Sequence, residues 1–97
     1  VHLATCDVSF ISVTLILPPV AATLDARGEL IILIKPQFEV GRRQVGKGGI
    51  VRDPELHAWA CNRVEQAARS LGLETHLMPD PVFGAEGNKE FLLYAHR

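Results

Sequence analysis

The sequence LIILIKPQFEVGRRQVGKGG, residues 30–49, joins an uninterrupted aliphatic run to a basic segment rich in glycine. Apolar and polar side chains do not alternate over residues 30–34, so both faces of this strand are predicted to be buried. Strands of that kind are typical of parallel sheets with a helix on each face. The run ends at Lys35. A charged amine at the end of a buried strand suggests a role for that amine in a site.

The flanking sequence indicates alternating strands and helices. Pro18 and Pro19 are expected to kink the first helix or to delay its start. The second helix has an N-cap, Asp53, and an apolar face on which Trp59 is predicted to anchor the core. The predicted order is a strand over 1–6, a helix ending near Leu24, a strand over 29–34, a loop over 35–52, a helix ending before Gly72, and strands over 73–78 and 90–96. This alternation predicts an α/β sheet with helices on its faces.

The composition sets limits on the class of protein. A chain of 97 residues is long enough for one small domain with a single core. The formal net charge is −1, so any contact with nucleic acid has to come from a local patch. No membrane span is predicted, because the longest apolar stretch, residues 10–24, contains two prolines and a bilayer requires about 20 apolar residues.

The two cysteines, Cys6 and Cys61, are far apart and form no CxxC pair. We expect two reduced thiols in a cytoplasmic protein, with a disulfide as the less favoured alternative. His2 and Cys6 are four residues apart, but two ligands do not make a zinc site. No metal is therefore predicted.

Charged residues stand at three predicted strand ends. Asp7 follows the first strand, Lys35 follows the second, and Glu90 begins the last. Ligands of open α/β sheets bind beyond the carboxyl ends of the parallel strands. If the first two strands are neighbours and the last runs antiparallel, these three side chains meet at one edge. Charges at strand ends are also common where a chain simply reaches water, so the convergence depends on the topology.

The predicted loop carries a second pattern. Arg42, Arg43, Lys47 and Arg52 lie among four glycines within residues 41–52. Such a loop can neutralise nucleic-acid phosphates. A solvated surface loop explains the same composition equally well. The segment is not a P-loop, since the GxxxxGK[ST] spacing is absent.

Three motifs resemble those of one known family. They are DVSFIS at 7–12, KPQFEVGRRQVGKGGIVRDP at 35–54 and GNKEFLL at 87–93. Together they resemble the C-terminal half of the TlyA (haemolysin A) family of ribosomal RNA methyltransferases, which carries an FtsJ-like domain. The resemblance covers nearly the whole chain. It implies the C-terminal half of a Rossmann-like sheet, mostly parallel with one antiparallel strand and helices on the faces.

The resemblance also implies chemistry and site residues. It implies methylation of a ribose 2′-hydroxyl in ribosomal RNA, with S-adenosylmethionine as the cofactor. Asp7, Lys35 and Glu90 match three members of the family's Lys-Asp-Lys-Glu tetrad, whose first lysine has no counterpart here. Asp7, Val8 and Ser9 are expected at the cofactor. A lysine amine can accept the hydroxyl proton when burial lowers its pKa, or it can stabilise the developing alkoxide as a cation.

The resemblance makes residues 1–97 a partial domain. The family's first strand, its glycine-rich cofactor loop and its N-terminal RNA-binding domain have no counterpart in the sequence. We therefore expect these residues alone to be inactive, and the exposed edge of the first strand to allow pairing into a dimer. Two other functions remain open: an RNA-binding module that uses residues 41–52, and, less favoured, a membrane-active haemolysin.

Overall fold

A computed structural model describes residues 1–7, 12–41, 45, 49–79, 81–83 and 87–97. Its strands are β1 (Leu3–Cys6), β2 (Glu29–Ile34), β3 (Glu74–Leu77), β4 (Val82–Phe83) and β5 (Lys89–His96). The sheet order is β1-β2-β5-β3, and β4 pairs with β5. β1 and β2 are parallel, whereas β5 is antiparallel to β2, β3 and β4. The predicted mixed α/β sheet with a single reversed strand is confirmed.

The central strand β2 buries one face completely. Leu30, Ile32 and Ile34 have no exposed surface, while Ile31 on the opposite face is 39% exposed. The prediction that both faces are buried is therefore wrong for the described part of the chain. An aliphatic run shows that a strand can tolerate burial, but the packing partners decide whether burial occurs. Full burial of one such side chain contributes about 1.5–3 kcal/mol.

Between β1 and β2 the structure describes a 3-10 turn, Val13–Leu15, which is followed by α1 (Leu17–Ala22). The Ser12 hydroxyl accepts a hydrogen bond from the Thr14 amide at 3.2 Å and so caps the turn. The two prolines occupy the first turn of α1, where missing N–H groups cost nothing. The prolines thus delay the helix, which is one of the two predicted outcomes.

The longest helix, α3 (Pro54–Ser70), packs against the sheet. The Asp53 carboxylate accepts the Glu55 amide at 2.9 Å, and Gly72 follows the helix end with φ of 83°. Both predicted ends are confirmed. The predicted anchor Trp59 is wrong, because it is 48% exposed beside the Arg63 guanidinium, 5.7 Å from the ring centroid. The buried face consists of His57, Ala60, Cys61, Val64 and Ala68.

Two short elements lie in segments predicted as irregular. α2 (Pro36–Glu39) is a single turn that begins directly after Lys35, and β4 is a two-residue strand after Pro81. Neither is long enough to show a period in the sequence. The first of them nevertheless determines where the charged residues of the KPQFE motif point.

Candidate functional site

Asp7 and Lys35 meet at the carboxyl edge of the sheet. Each follows the last residue of its strand, and the parallel register of β1 and β2 brings the two ends together. The Lys35 Nζ lies 2.6 Å from the Asp7 Oδ1. The side chain of Lys35 is 15% exposed and that of Asp7 is 60% exposed. The pair is thus held by the protein on one side and open to a ligand on the other.

Glu90 lies at the same edge. In the antiparallel ladder of β2 and β5 the last pair is Ile34–Phe91, so Lys35 and Glu90 are the next residues of the two chains. Glu90 is 8% exposed. Alternation along the strands directs it to the same side of the sheet as Lys35 and Asp7. The predicted topology that allows three charged residues to converge is therefore present.

The buried carboxylate of Glu39 connects three segments near this edge of the sheet. Glu39, the last residue of α2, accepts the Ser12 hydroxyl at 2.5 Å and the Val13 amide at 2.9 Å. Its carboxylate also lies 3.4 Å from the Nε of Arg63 in α3. One side chain thereby ties together the segment after β1, the segment after β2 and the long helix. It fixes the turn that begins at Val13 relative to the helical turn that follows Lys35.

A second polar cluster holds the segment that precedes α3. The Asn88 side chain accepts the Val51 amide at 3.1 Å and donates to the Gly49 carbonyl at 3.0 Å. The Nε2 of His57 donates to the Val51 carbonyl at 2.7 Å. Both backbone polar groups of the fully buried Val51 are thus satisfied. The cluster connects the start of β5, just before Glu90, to the N-terminus of α3.

Several predicted site residues lie outside the described part of the chain. They are Val8 and Ser9, expected at the cofactor, and Arg42, Arg43 and Lys47, expected at RNA. Arg52 is described and is exposed immediately before the N-cap of α3. Its position on the surface allows an electrostatic contact with a polyanion.

Both thiols are free and buried. Burial raises the pKa of Cys6 above its ordinary value. Burial, with a smaller contribution from the nearby Glu65 carboxylate, raises the pKa of Cys61 to about 11. Raised values make both thiols poor nucleophiles. Within the described ranges, no group of three or more His, Cys, Asp or Glu side chains could hold a metal ion.

Three contributors to this edge escaped the sequence reasoning: Glu39, Asn88 and His57. Glu39 and Asn88 lie inside the motifs KPQFE and GNKEFLL, whose charged members drew attention only as site candidates. Polar residues within otherwise apolar or turn-forming motifs are a usable signal for buried hydrogen-bond networks. His57 gave no such signal, because histidine is intermediate in its tendency to be buried, and a lone histidine on a helix does not indicate which face it lies on.

Comparison with known proteins agrees with this architecture. The sequence pattern of the FtsJ-like methyltransferases matches residues 1–97, which is the whole chain. The chain belongs to the FtsJ-like methyltransferase family. Among individual FtsJ-like relatives, it is 47% identical over 94 residues to the Bacillus subtilis protein YqxC, whose name places it with the rRNA methyltransferases. It is 39% identical over 95 residues to the Mycobacterium tuberculosis 16S/23S rRNA (cytidine-2′-O)-methyltransferase TlyA.

A solved structure shows the same fold. A crystal structure from Lactococcus lactis, described as a hemolysin, superposes with a TM-score of 0.90 at 46% identity and covers 98% of this chain and 46% of its own. YqxC and TlyA are matched over 96% and 97% of this chain, but over only 34% and 35% of their own lengths. The chain thus spans about a third of these curated relatives, and its resemblance to the TlyA and haemolysin A proteins is confirmed.

Proposed function

We propose that the full-length protein containing this chain methylates a ribose 2′-hydroxyl of ribosomal RNA, with S-adenosylmethionine as methyl donor. The observation that carries the proposal is the contact of Lys35 with Asp7 at the carboxyl edge of an FtsJ-like sheet. The name of the TlyA relative, a (cytidine-2′-O)-methyltransferase of rRNA, supports the substrate class. Free ribosomal RNA and an assembled ribosomal subunit are both candidate substrates.

Lys35 would act on the attacking hydroxyl. A ribose hydroxyl is a poor nucleophile, and negative charge develops on its oxygen as its proton leaves, before the O–CH₃ bond is complete and the S–CH₃ bond is broken. The proton would pass to a carboxylate at this edge, for which Glu90 is the candidate. The ammonium of Lys35, held in an ion pair by Asp7, would stabilise that oxygen. The Glu90 carboxylate, at the same edge, would accept a hydrogen bond from the hydroxyl and orient it. Alignment of the reacting atoms would supply much of the remaining rate.

The cofactor would supply an activated methyl group at the same edge. The Asp7 side chain is 60% exposed there, which leaves carboxylate oxygen available to a hydroxyl or amine of a nucleoside. Cofactors of open α/β sheets bind at this position. We assign Asp7 to both the lysine and the cofactor, with Val8 and Ser9 beside it.

The RNA would be held electrostatically by Arg42, Arg43, Lys47 and Arg52. Because the formal net charge of the chain is only −1, these residues would provide a local patch rather than a strongly basic protein. Neutralising phosphates releases counterions, so binding should weaken as salt is raised. Reversing the charges of Arg42 and Arg43 should therefore weaken RNA binding and reduce its dependence on salt.

The 97 residues alone should not methylate RNA. They contain three members of the proposed tetrad, and the glycine-rich cofactor loop of the family has no counterpart in them. β1 ends the sheet order, so its outer edge could pair with a second copy. We propose a cytoplasmic location because ribosomal RNA is the substrate. Among the described residues, no helix is long and apolar enough to cross a membrane.

The experiment is transfer of radiolabelled methyl from S-adenosylmethionine to ribosomal RNA by the full-length protein, followed by nucleoside analysis of the product. Lys35→Ala should reduce the rate by roughly 100- to 1000-fold, the effect of removing one group that stabilises a developing oxyanion. Arg27→Ala is the control, since Arg27 is exposed in the turn before β2 at the opposite edge.

Two results would contradict the proposal. A Lys35→Ala rate equal to that of the control would place the chemistry elsewhere. An inactive full-length protein that still binds ribosomal RNA would favour the alternative, a non-enzymatic module that uses residues 41–52.

A further inference from the structure

A groove opens between α3 and the start of β5, on the side of the sheet opposite to Glu90. Its volume is about 480 Å³, within the range of small-ligand sites. Its walls are mostly apolar and include three prolines. The lining residues that matter below are His57, Ala58, Met78, Lys89 and Phe91.

The groove wall contains a hydrogen-bond acceptor on His57. Because the Nε2 of His57 donates to the Val51 carbonyl, the neutral ring carries its lone pair on Nδ1. No residue that the structure describes forms a hydrogen bond to that atom, which is not among the buried polar atoms that lack a partner and is therefore reachable from the groove. A ligand that donates an N–H group would satisfy it.

A cation and an exposed aromatic ring stand at the mouth. Lys89 lines the groove, and its cross-strand partner on β4 is Phe83. Paired residues project to the same side of a ladder, so both are available to one ligand. Phe83 is 77% exposed, more than any other large hydrophobic residue in the described part of the chain. Glu65, the acidic lining residue, is already bonded to Arg69 and Thr75.

The groove adjoins the proposed methyl-transfer site without overlapping it. Lys89 and Glu90 are consecutive in β5, so their side chains leave opposite faces of the strand. His57 lies in the first turn of α3, and Met78 directly follows β3, so both stand at the carboxyl edge. A polymer that crosses this edge could occupy both places at once.

We propose that this groove binds an unpaired nucleotide of the RNA substrate that flanks the methylated one. The base packs against the apolar wall and donates an N–H to Nδ1 of His57, and its phosphate pairs with Lys89. Phe83 stacks on the next base. Aromatic stacking with a nearby cation is the usual way in which proteins hold single-stranded RNA. The inference rests on the proposed function.

Groove filling is the first test, in the full-length protein. Ala58 is exposed on α3 and lines the groove, so Ala58→Leu should block it without disturbing the core. Ala22→Leu, at the exposed end of α1, is the matched control. Ala58→Leu should raise the KM for ribosomal RNA about tenfold, the loss of roughly one stacked base, and leave kcat within about twofold. The control should change neither constant.

Surface variants provide a second test that does not depend on the packing of α3. Phe83→Ala and Lys89→Ala should each weaken the binding of a short fluorescein-labelled single-stranded RNA, measured by anisotropy, by about three- to tenfold. Phe83→Trp should restore the affinity, because an indole also stacks on bases. Lys89→Ala should also reduce the salt dependence of binding.

Unchanged RNA affinity and unchanged KM in Ala58→Leu would overturn the inference, and so would a fall in kcat with unchanged RNA affinity. Failure of the proposed function is a different result. In that case the wild-type protein transfers no methyl group, and the anisotropy measurements alone decide whether the groove binds RNA.

Discussion

Lys35 and Glu39 are the two charged residues of the KPQFE motif, and they stand at opposite ends of α2. Lys35 precedes the helix and contacts Asp7, whose side chain is 60% exposed. Glu39 ends the helix, and its side chain is 1% exposed among partners from two other segments. The Lys35–Asp7 pair is open to a ligand, whereas the Glu39 carboxylate is enclosed by the protein, although its partner Arg63 is 45% exposed.

The difference in exposure indicates different roles for the two side chains, one in the proposed reaction and one in holding the structure together. A partly exposed ion pair contributes little to stability, about 0–1 kcal/mol, so the Lys35–Asp7 contact is poorly explained as a structural brace. A buried carboxylate is costly unless all of its hydrogen bonds are formed, and Glu39 has three partners. The same short motif therefore supplies one residue that we propose to be reactive, Lys35, and one structural residue, Glu39.

The largest predicted effect on stability is that of Glu39→Ala. The change leaves the Val13 amide and the Ser12 hydroxyl without their acceptor and Arg63 without its counter-ion. We expect a loss of about 3–5 kcal/mol in the free energy of unfolding, measured by urea denaturation. Glu55→Ala, an exposed acid in the first turn of α3, is the control. A loss below about 1 kcal/mol would show that the carboxylate does not brace the edge.

The buried Cys61 thiol is a second enclosed group, and both its contribution to stability and its reactivity should depend on pH. The folded pKa of the Cys61 thiol is about 11, above the ordinary thiol value of 9.0, so folding favours the neutral form. This contribution to stability is complete below pH 9 and is lost as the pH rises through 11. Alkylation at pH 8 should be on the order of 100-fold slower than in the unfolded chain. Equal rates in the folded and unfolded chain would contradict the burial.

Asn88→Ala should cost less than the loss of Glu39, because Asn88 is neutral. It leaves the buried Val51 amide unsatisfied, for which we expect a loss of about 1–3 kcal/mol in thermal or urea unfolding. Asn62→Ala, an exposed amide on α3, provides the control. If both variants are equally stable, another group replaces the lost acceptor.

The smallest effect on stability is predicted for Asp7→Ala. The Asp7 side chain is largely exposed, so breaking its ion pair with Lys35 should change the free energy of unfolding by less than about 1 kcal/mol. Raised salt should change the stability of the wild type and the variant almost equally. A loss of several kcal/mol would mean that the pair holds the sheet edge together, and the contrast with Glu39 would disappear.

The sequence predicted the sheet and its charged edge because both follow from short-range patterns. The aliphatic run before Lys35 and the N-cap at Asp53 are local signals, and the structure confirms the strand and the helix start. The convergence of Asp7 with Lys35 needed the strand order as well, which only the family resemblance could supply before the structure.

Other features depend on packing that no local pattern records. Trp59 was expected in the core because it is large and apolar, but the buried face of α3 is set by spacing from His57 to Ala68, and Trp59 falls outside it. The burial of Glu39 likewise depends on partners 26 and 27 residues away. The second face of β2 is exposed for a similar reason: the elements that pack against a strand determine its burial, and the sequence of the strand does not record them.

The most direct test of the central claim compares single-turnover methyl transfer to ribosomal RNA with melting temperature for two full-length variants, Lys35→Ala and Glu39→Gln. We predict that Lys35→Ala loses roughly 100- to 1000-fold in rate at an unchanged melting temperature. Glu39→Gln should melt at a lower temperature, while each folded molecule keeps its rate within about threefold. A Lys35→Ala variant that transfers methyl at the wild-type rate would contradict the claim that Lys35 performs the chemistry at this edge.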